Sequence, residues 1–315
     1  MRVVLGVQNW QAGETCSALA LGVFDGVHIG HQQIARTTVE MAAGGCSCLM
    51  TFQPHPAAVL GGAGPEFLTT VQQKARILAN YGLGAMIVEP FTPALAATPH
   101  DRFVEMIVDT IHPRSVIVGR NFHYGRGGGG DVSTLAANGQ RLGFCLTVVE
   151  PVMLSDKVVS STAVRSLLRE GDLETANQML GRPYSINGKV TSGDGRGRKL
   201  GFPTANVLVE PGQALPPRGV YAVQARLEKR LLPAMANLGT RPTFGESRQV
   251  LEVHIIGFFE DIYGETLDVD FVEFLRHETL FPGSDELVLQ MKRDRQHAVK
   301  ALQQRLGFVY NAQVL

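Results

Sequence analysis

A change of pattern near residue 183 constrains the fold more than any other feature of this chain. Before it, short apolar runs alternate with stretches of helical periodicity; after it, strand follows strand. Residues 18–23, 48–52, 85–89, 115–119 and 145–149 read as strands. The segment after Gly30 through about residue 43, and then 70–81, 100–111 and 133–142, read as helices. Such alternation predicts a parallel sheet covered on both faces, whose ligands sit at the carboxyl ends of its strands. Residues 161–169 are helical, Gly171 interrupts, Asp172 caps a second helix, and Gly181-Arg182-Pro183 ends it. From Tyr184 the strands 184–191, 219–227, 232–238, 250–257 and 266–275 succeed one another without helices between them. That predicts an antiparallel sheet or small barrel, followed by an amphipathic helix over 284–306. The expected domains are therefore 1–183 and 184–315, each long enough to bury a core of its own.

Composition narrows the classes of partner. The formal net charge is zero, which gives no general electrostatic footprint for nucleic acid but leaves room for a local cationic pocket for phosphates. No apolar run reaches the roughly eighteen residues of a membrane span. The start, Met1-Arg2-Val3-Val4-Leu5-Gly6, lacks the apolar core and cleavage site of a signal peptide. The expected setting is the cytoplasm, with Cys16, Cys46, Cys48 and Cys145 as reduced thiols. Cys46 and Cys48 are spaced for neither a zinc knuckle nor a C-x-x-C redox pair. No heptad repeat or large apolar patch marks an oligomer interface, and the run Gly127 to Gly130 reads as a flexible loop.

The most informative segment of the first half is Gly22-Val23-Phe24-Asp25-Gly26-Val27-His28-Ile29-Gly30-His31, where a strand gives way to a helix. Gly22, Gly26 and Gly30 permit tight turns and close approach of backbone to a ligand. The helix start offers N–H groups and a positive dipole end to phosphate. His28 and His31 are three apart, so their imidazoles can point to one side and donate to phosphate oxygens that gain charge in a transition state. Taken alone, H-x-G-H is more often a glycine-rich turn with two incidental histidines. A second segment, Ser160-Ser161-Thr162-Ala163-Val164-Arg165, places hydroxyls at another helix start with an Arg close behind; alone, that is a helix cap with a solvated Arg. Two anion-ready helix starts, one with paired histidines, point to a nucleoside triphosphate.

These segments resemble the H-x-G-H and I-S-S-T-x-x-R signatures of the nucleotidylyltransferase superfamily, with Val159 in place of the Ile. The longer G-x-F-D-G-V-H-x-G-H form resembles the adenylyltransferase module of prokaryotic riboflavin kinase/FAD synthetases. Thr51-Phe52-Gln53-Pro54-His55-Pro56 resembles that family's T-F-x-P-H-P segment. Val118-Gly119-Arg120-Asn121-Phe122-His123-Tyr124-Gly125 resembles its V-G-x-D/N-F-x-F/Y-G segment, although glycines follow where charge is expected. The resemblance implies a Rossmann-like domain in which Gly22, Phe24, Asp25, Gly26, His28, Gly30, His31, Ser160, Ser161, Thr162 and Arg165 bind ATP, with Asn121 near the transferred group. H-x-G-H alone chooses neither base nor acceptor, so a cytidylyltransferase-like role competes until the second half is read.

The segment Gly193-Asp194-Gly195-Arg196-Gly197-Arg198-Lys199-Leu200-Gly201-Phe202-Pro203-Thr204-Ala205-Asn206 is too rich in Gly and charge for a sheet interior. It reads as a mobile loop followed by a turn at Pro203. Thr204 and Asn206 offer two neutral oxygens one residue apart, hard ligands suited to Mg2+ that is otherwise held by phosphates and water; a solvated basic loop is the plainer reading. Along residues 250–256, alternation puts Leu251, Val253 and Ile255 on one face and Glu252 and His254 on the other. If that second face meets the loop, Glu252 can take the proton from an attacking hydroxyl; otherwise it is an ordinary solvent-facing Glu. This half resembles the riboflavin kinase module. The matching residues are the G-D-x-x-G-R-x-L-G-F-P-T-A-N run, G-V-Y-A-V from Gly219 to Val223, Ala236-Asn237-Leu238-Gly239-Thr240-Arg241-Pro242-Thr243, Leu251-Glu252-Val253-His254, Tyr263-Gly264 and the 287–294 segment.

The second resemblance implies a six-stranded antiparallel barrel with a C-terminal helix. In it Gly193, Asp194, Arg198, Gly201, Phe202 and Pro203 would hold ATP, Thr204 and Asn206 would assist Mg2+, and Glu252 would be general base toward the terminal ribityl hydroxyl of riboflavin. The implied activity is ATP-dependent phosphorylation of riboflavin to FMN, then adenylyl transfer to FMN giving FAD. A flavin-binding protein without catalysis would require disabled positions, yet His28, His31, Arg165, Thr204, Asn206 and Glu252 are all present.

Overall fold

A computed structural model describes residues 1–11, 16–62, 64–193, 195–243 and 246–307, and the chain divides into two compact units, Met1–Ser161 and Thr162–Leu315. The first unit runs β1 (Arg2–Leu5), β2 (Ala18–Leu21), α1 (Ile29–Met41), β3 (Ser47–Gln53), α2 (Pro56–Leu60), α3 (Val71–Ala79) and β4 (Ala85–Pro90). It continues through α4 (Pro93–Ala96), α5 (His100–Ile111), β5 (Ser115–Gly119), α6 (Val132–Leu142), β6 (Cys145–Val149) and a small hairpin of β7 (Met153–Leu154) and β8 (Lys157–Val158). Six strands form one sheet in the order β1-β4-β3-β2-β5-β6, and all its neighbours are parallel.

The near-continuous apolar character of these strands follows from burial on both faces. Leu19, Leu21, Cys48, Met50 and Val116 point toward α5 and α6 and pack with Phe103, Val104, Ile107 and Leu135. Their neighbours Ala18, Ala20, Leu49, Met86 and Ile117 point the other way, onto Ile34 and Ala35 of α1 and Leu78 of α3. Thr70 starts α3 with a capping box shared with Gln73, and Asp131 starts α6 by accepting from Thr134 N. Strand β1 was not expected. It is four residues long, sits at the sheet edge, and buries only Val4, so it carries little apolar pattern.

The glycine run after Gly125 also differs from the flexible loop expected. Tyr124 and Gly130 exchange backbone hydrogen bonds at 2.9 and 3.0 Å, which closes the segment into a tight turn. A Cβ on Gly130 would lie 2.7 Å from His100 Cβ, so the small residue serves close packing rather than freedom.

The second unit begins with α7 (Ser161–Glu170, its first residue shared with the first unit) and α8 (Leu173–Leu180), followed by β9 (Tyr184–Thr191), α9 (Arg196–Lys199) and β10 (Ala205–Val207). Then come β11 (Gly219–Leu227), β12 (Arg230–Thr243), β13 (Glu246–Ile255), β14 (Thr266–Arg276) and the long α10 (Ser284–Leu306). The strands close into an antiparallel barrel, β10-β13-β12-β11-β14-β9. One set of alternate side chains, including Tyr184, Ile186, Tyr221, Val223, Ala236, Leu251, Val253 and Phe271, is buried and fills the interior. The other set faces outward, and there Ala222, Met235 and Val272 pack under Ala298, Ala301 and Leu302 of α10. Arg276 clamps the helix to β14 through Asp294, which is 3% exposed, with contacts of 2.8 to 3.0 Å. Two elements were hidden inside the Gly-rich motif: the single turn α9 and the short strand β10. No helix among the described residues is long and apolar enough to cross a membrane.

Candidate active sites

In the first unit the strand order reverses between β2 and β5, so the chains leaving these two strands diverge and leave a crevice at their carboxyl ends. A cavity of about 470 Å³ lies there. Gly22, Phe24, His28, Gly30 and His31 line it from the β2 side, Asn121, Phe122 and Tyr124 from the β5 side, and Ser160 from the segment before α7. Its size suits a nucleotide or flavin; Phe52, Phe91 and Phe103 add an aromatic wall, and Arg120, His123 and Glu150 also line it.

The motif loop sets the imidazoles. His28 is the N-cap of α1 and its Nδ1 accepts from His31 N at 3.3 Å, which places the proton of the neutral ring on Nε2. The two imidazoles stack with centroids 3.6 Å apart, and Phe24 meets His31 edge-on at 5.1 Å. Phe24 and Val27 hold left-handed backbone, φ 53° and 42°. Asp25 and Gly26, expected among the ATP-binding residues, do not line the cavity. The Asp25 carboxylate, 4% exposed, instead accepts from Leu68 N, Thr69 N and Thr69 Oγ1, while Gly26 N donates to Thr69 Oγ1. Ser161 Oγ donates to the Asp25 carbonyl at 2.8 Å. Thr162 and Arg165 lie on α7 in the second unit, and Arg165 is buried.

Three side chains that the sequence reading passed over hold this loop from behind: Thr51 (seen only as part of a motif), Thr69 and Lys74. Lys74 had a legible signal, because it falls on the apolar stripe of α3 with Val71 and Leu78.

In the barrel, the face carrying Glu252 and His254 does meet the Gly-rich segment. Pro203 can only accept, so His254 Nδ1 donates to its carbonyl at 2.8 Å, and the His254 ring lies edge-on to Phe202 at 5.2 Å. Burial pushes the His254 imidazole down, a shift that the Pro203 bond opposes and the nearby Arg295 guanidinium adds to. Half-buried Glu252 sits between two asparagines in register, Asn206 on β10 and Asn237 on β12. Gly193 packs so closely on Asn206 that a Cβ would lie 2.2 Å from its Nδ2. A second cavity, about 320 Å³, is lined by Arg198, Pro203, Thr204 and residues 258–263. Glu252 and Asn206 do not line it, Gly201 and Phe202 flank it in sequence, and Asp194 lies outside the described residues.

The FAD synthetase family model matches residues 11–163 and the riboflavin kinase family model matches residues 180–302. Bifunctional riboflavin kinase/FMN adenylyltransferases from Bacillus subtilis and Escherichia coli K12 are 35% identical over 291 and 300 residues, covering 90% and 93% of this chain and 92% and 96% of theirs. The chain belongs to this family. It is a bifunctional enzyme of FAD biosynthesis, with riboflavin kinase and FMN adenylyltransferase activities and with riboflavin, FMN and ATP as substrates. A crystal structure of a Streptococcus pneumoniae protein described as a macrolide-efflux protein is also similar, at 26% identity and TM-score 0.86, covering 95% of this chain and 99% of that one.

Proposed function

We propose that the two activities occupy the two sites just described, adenylyl transfer in a domain of residues 1–183 and riboflavin phosphorylation in a domain of residues 184–315, in a cytoplasmic enzyme. The observation that carries this reading is the stacked His28–His31 pair at the start of α1, on the wall of a cavity at the sheet's switch point. ATP would set its phosphates against this helix start, with Ser160 and Ser161 contributing, and Asn121 beside the reacting group. An FMN phosphate oxygen attacks the α-phosphorus of ATP and pyrophosphate departs, so no protein nucleophile is needed. The residues supply position and charge neutralisation.

In the barrel, Glu252 takes the proton from the terminal ribityl hydroxyl as its oxygen attacks the γ-phosphorus, and ADP departs. Mg2+ fits the donor set here. Thr204 and Asn206 give hard neutral oxygens, and among the described residues no cluster of three His, Cys, Asp or Glu could hold a metal, so the ion would arrive largely on ATP phosphates. When bound it would offset charge on those phosphates.

The test is to assay FMN formation from riboflavin and FAD formation from FMN separately in His28→Ala and Glu252→Ala. The first variant should lose FAD formation and keep FMN formation; the second should show the reverse. Equal weakening of both activities by both variants would dismiss the two-site assignment.

A further inference from the structure

The 22–31 loop is gripped from behind by α3 and the residues entering it. Lys74 Nζ donates to the Val23 carbonyl at 2.7 Å and to Thr51 Oγ1 at 2.9 Å, and Thr51 Oγ1 donates to the same carbonyl at 2.6 Å. Two residues along, Asp25 is held by Leu68 N and Thr69 N at 3.0 and 3.1 Å, and Gly26 N is held by Thr69 Oγ1 at 3.0 Å. Between these grips sits Phe24, at φ 53°. A non-glycine residue keeps left-handed backbone only when its surroundings over-determine it, and here the fixed Val23 carbonyl and the fixed Asp25 are those surroundings. The Phe24 ring then meets His31, and His31 stacks on His28. A chain of contacts thus runs from α3 to the imidazoles.

Packing alone does not ask for a lysine at this position. Lys74 is 4% exposed, and burial pushes its ammonium down to about 8, a shift that Asp25 opposes. An apolar side chain on the same stripe of α3 would fill the space without desolvating a charge. The Val23 carbonyl would still have the Thr51 hydroxyl. The lysine therefore burdens the fold, and its bond to the motif loop is what it offers in return.

We propose that Lys74 is a positioning residue for adenylyl transfer, its Nζ fixing the Val23 carbonyl and, through Phe24, the stacked His28 and His31. The inference rests on the reading that this loop seats ATP. It is tested on the full-length enzyme with Lys74→Met and Thr51→Val, following FAD formation from FMN, FMN formation from riboflavin, and the melting temperature. Lys74→Met should lower kcat/KM for adenylyl transfer on the order of 10²-fold, as misplacement of a reacting group by about an ångström does. Its riboflavin phosphorylation should stay within about twofold of wild type, and its melting temperature should be equal or higher. Thr51→Val removes one of two donors to the carbonyl and should cost about tenfold in the same activity, and the double variant should lose less than the product of the two.

Wild-type adenylyl transfer in Lys74→Met would overturn the proposal. So would a loss matched by equal loss of phosphorylation and an earlier melt. Should Lys74→Met fail to fold, Thr51→Val decides, and unchanged FAD formation there overturns it. His28→Ala run alongside separates the two failures. If it retains FAD formation, the ATP-site reading itself falls; if it is inactive beside a wild-type-like Lys74→Met, only the role of Lys74 falls.

Discussion

In the first unit the cavity lies where strand order reverses between β2 and β5, and His28, His31, Asn121 and Ser160, the side chains there with chemistry to offer, come from loops and a helix start beyond the strands. In the second unit the strands close on themselves around Tyr184, Tyr221 and Phe271, and the smaller cavity is lined by the inward-facing Val190, Val253 and Ile255 together with Arg198, Pro203 and Thr204. Its candidate base is a residue within a strand, on the outer face, in register between Asn206 and Asn237. An open sheet thus offers a ligand site at its end and lets loops carry the chemistry. A closed barrel packs most of its interior, so side chains of its strands make up more of the cavity wall, with Arg198, Pro203 and Thr204 lining it beside them. The first kind of site is sensitive to what holds a loop in place, the second to what holds two strands in register.

The sharpest way to break this comparison is Glu252→Gln. The amide keeps the size and the cross-strand neighbours of Glu252 and removes only its basicity. Riboflavin phosphorylation should fall about 10²- to 10⁴-fold, with FAD formation from added FMN unchanged. Rates with each flavin supplied separately check this, and a loss of both activities would show that the sites are not independent. His28→Asn asks the matching question of the first unit. Asn keeps an acceptor for His31 N at the N-cap but has no group to take the place of Nε2. FAD formation should fall about 10²- to 10³-fold with little change in melting temperature, whereas His28→Ala should show that loss together with about 1 kcal/mol of destabilisation.

The same contrast explains what could be read from the sequence. The parallel sheet was legible because burial on both faces writes long apolar runs at the intervals a βαβ chain requires, and the ends of α5 follow directly from that pattern. The first motif was legible because its site is built from contiguous residues at one strand–helix junction. Glu252 became readable only through family resemblance, since one Glu on an alternating strand is ordinarily a solvent-facing residue. Strands β1 and β10 escaped notice because four and three residues give no period to detect. The roles of Thr69 and Lys74 escaped for another reason: their partners are 43 and 51 residues away, and no local pattern reports such a bond. The Gly127 to Gly130 run was read as freedom when its last residue is there because His100 occupies the space a side chain would need.

Lys74 allows a test of how the first unit alone responds to pH. Its folded pKa is lowered, to about 8 from 10.5, so between those values the unfolded chain binds more protons than the folded one. The stability of the first unit should therefore rise with pH through that window, and the burden of the buried charge is fully present below about 8. Relative to Lys74→Met, the wild type should gain up to about 3 kcal/mol between pH 8 and 10.5. Trp10, the single tryptophan of the chain, is buried in this unit and reports its unfolding by fluorescence in urea. A difference that does not change with pH would mean the lysine is already solvated in the folded state.

The smallest expected effect sharpens the barrel side. A Cβ on Gly193 would lie 2.2 Å from Asn206 Nδ2 and 2.8 Å from its Cγ, both atoms of a side chain and not of backbone, so the amide can swing aside while the fold stays intact. That movement shifts the amide of Asn206, the residue paired in register with Glu252. Gly193→Ala should therefore raise the KM for magnesium-bound ATP in riboflavin phosphorylation about tenfold, leave the melting temperature near wild type, and leave FAD formation unchanged. The mechanism makes a stricter demand in a cycle with Asn206→Ala: once the amide is gone there is nothing to displace, so adding Gly193→Ala to that background should have no further effect. A full additional tenfold loss in the double variant would show that Gly193 serves the nucleotide loop directly and that Asn206 is a neighbour without a part in the site.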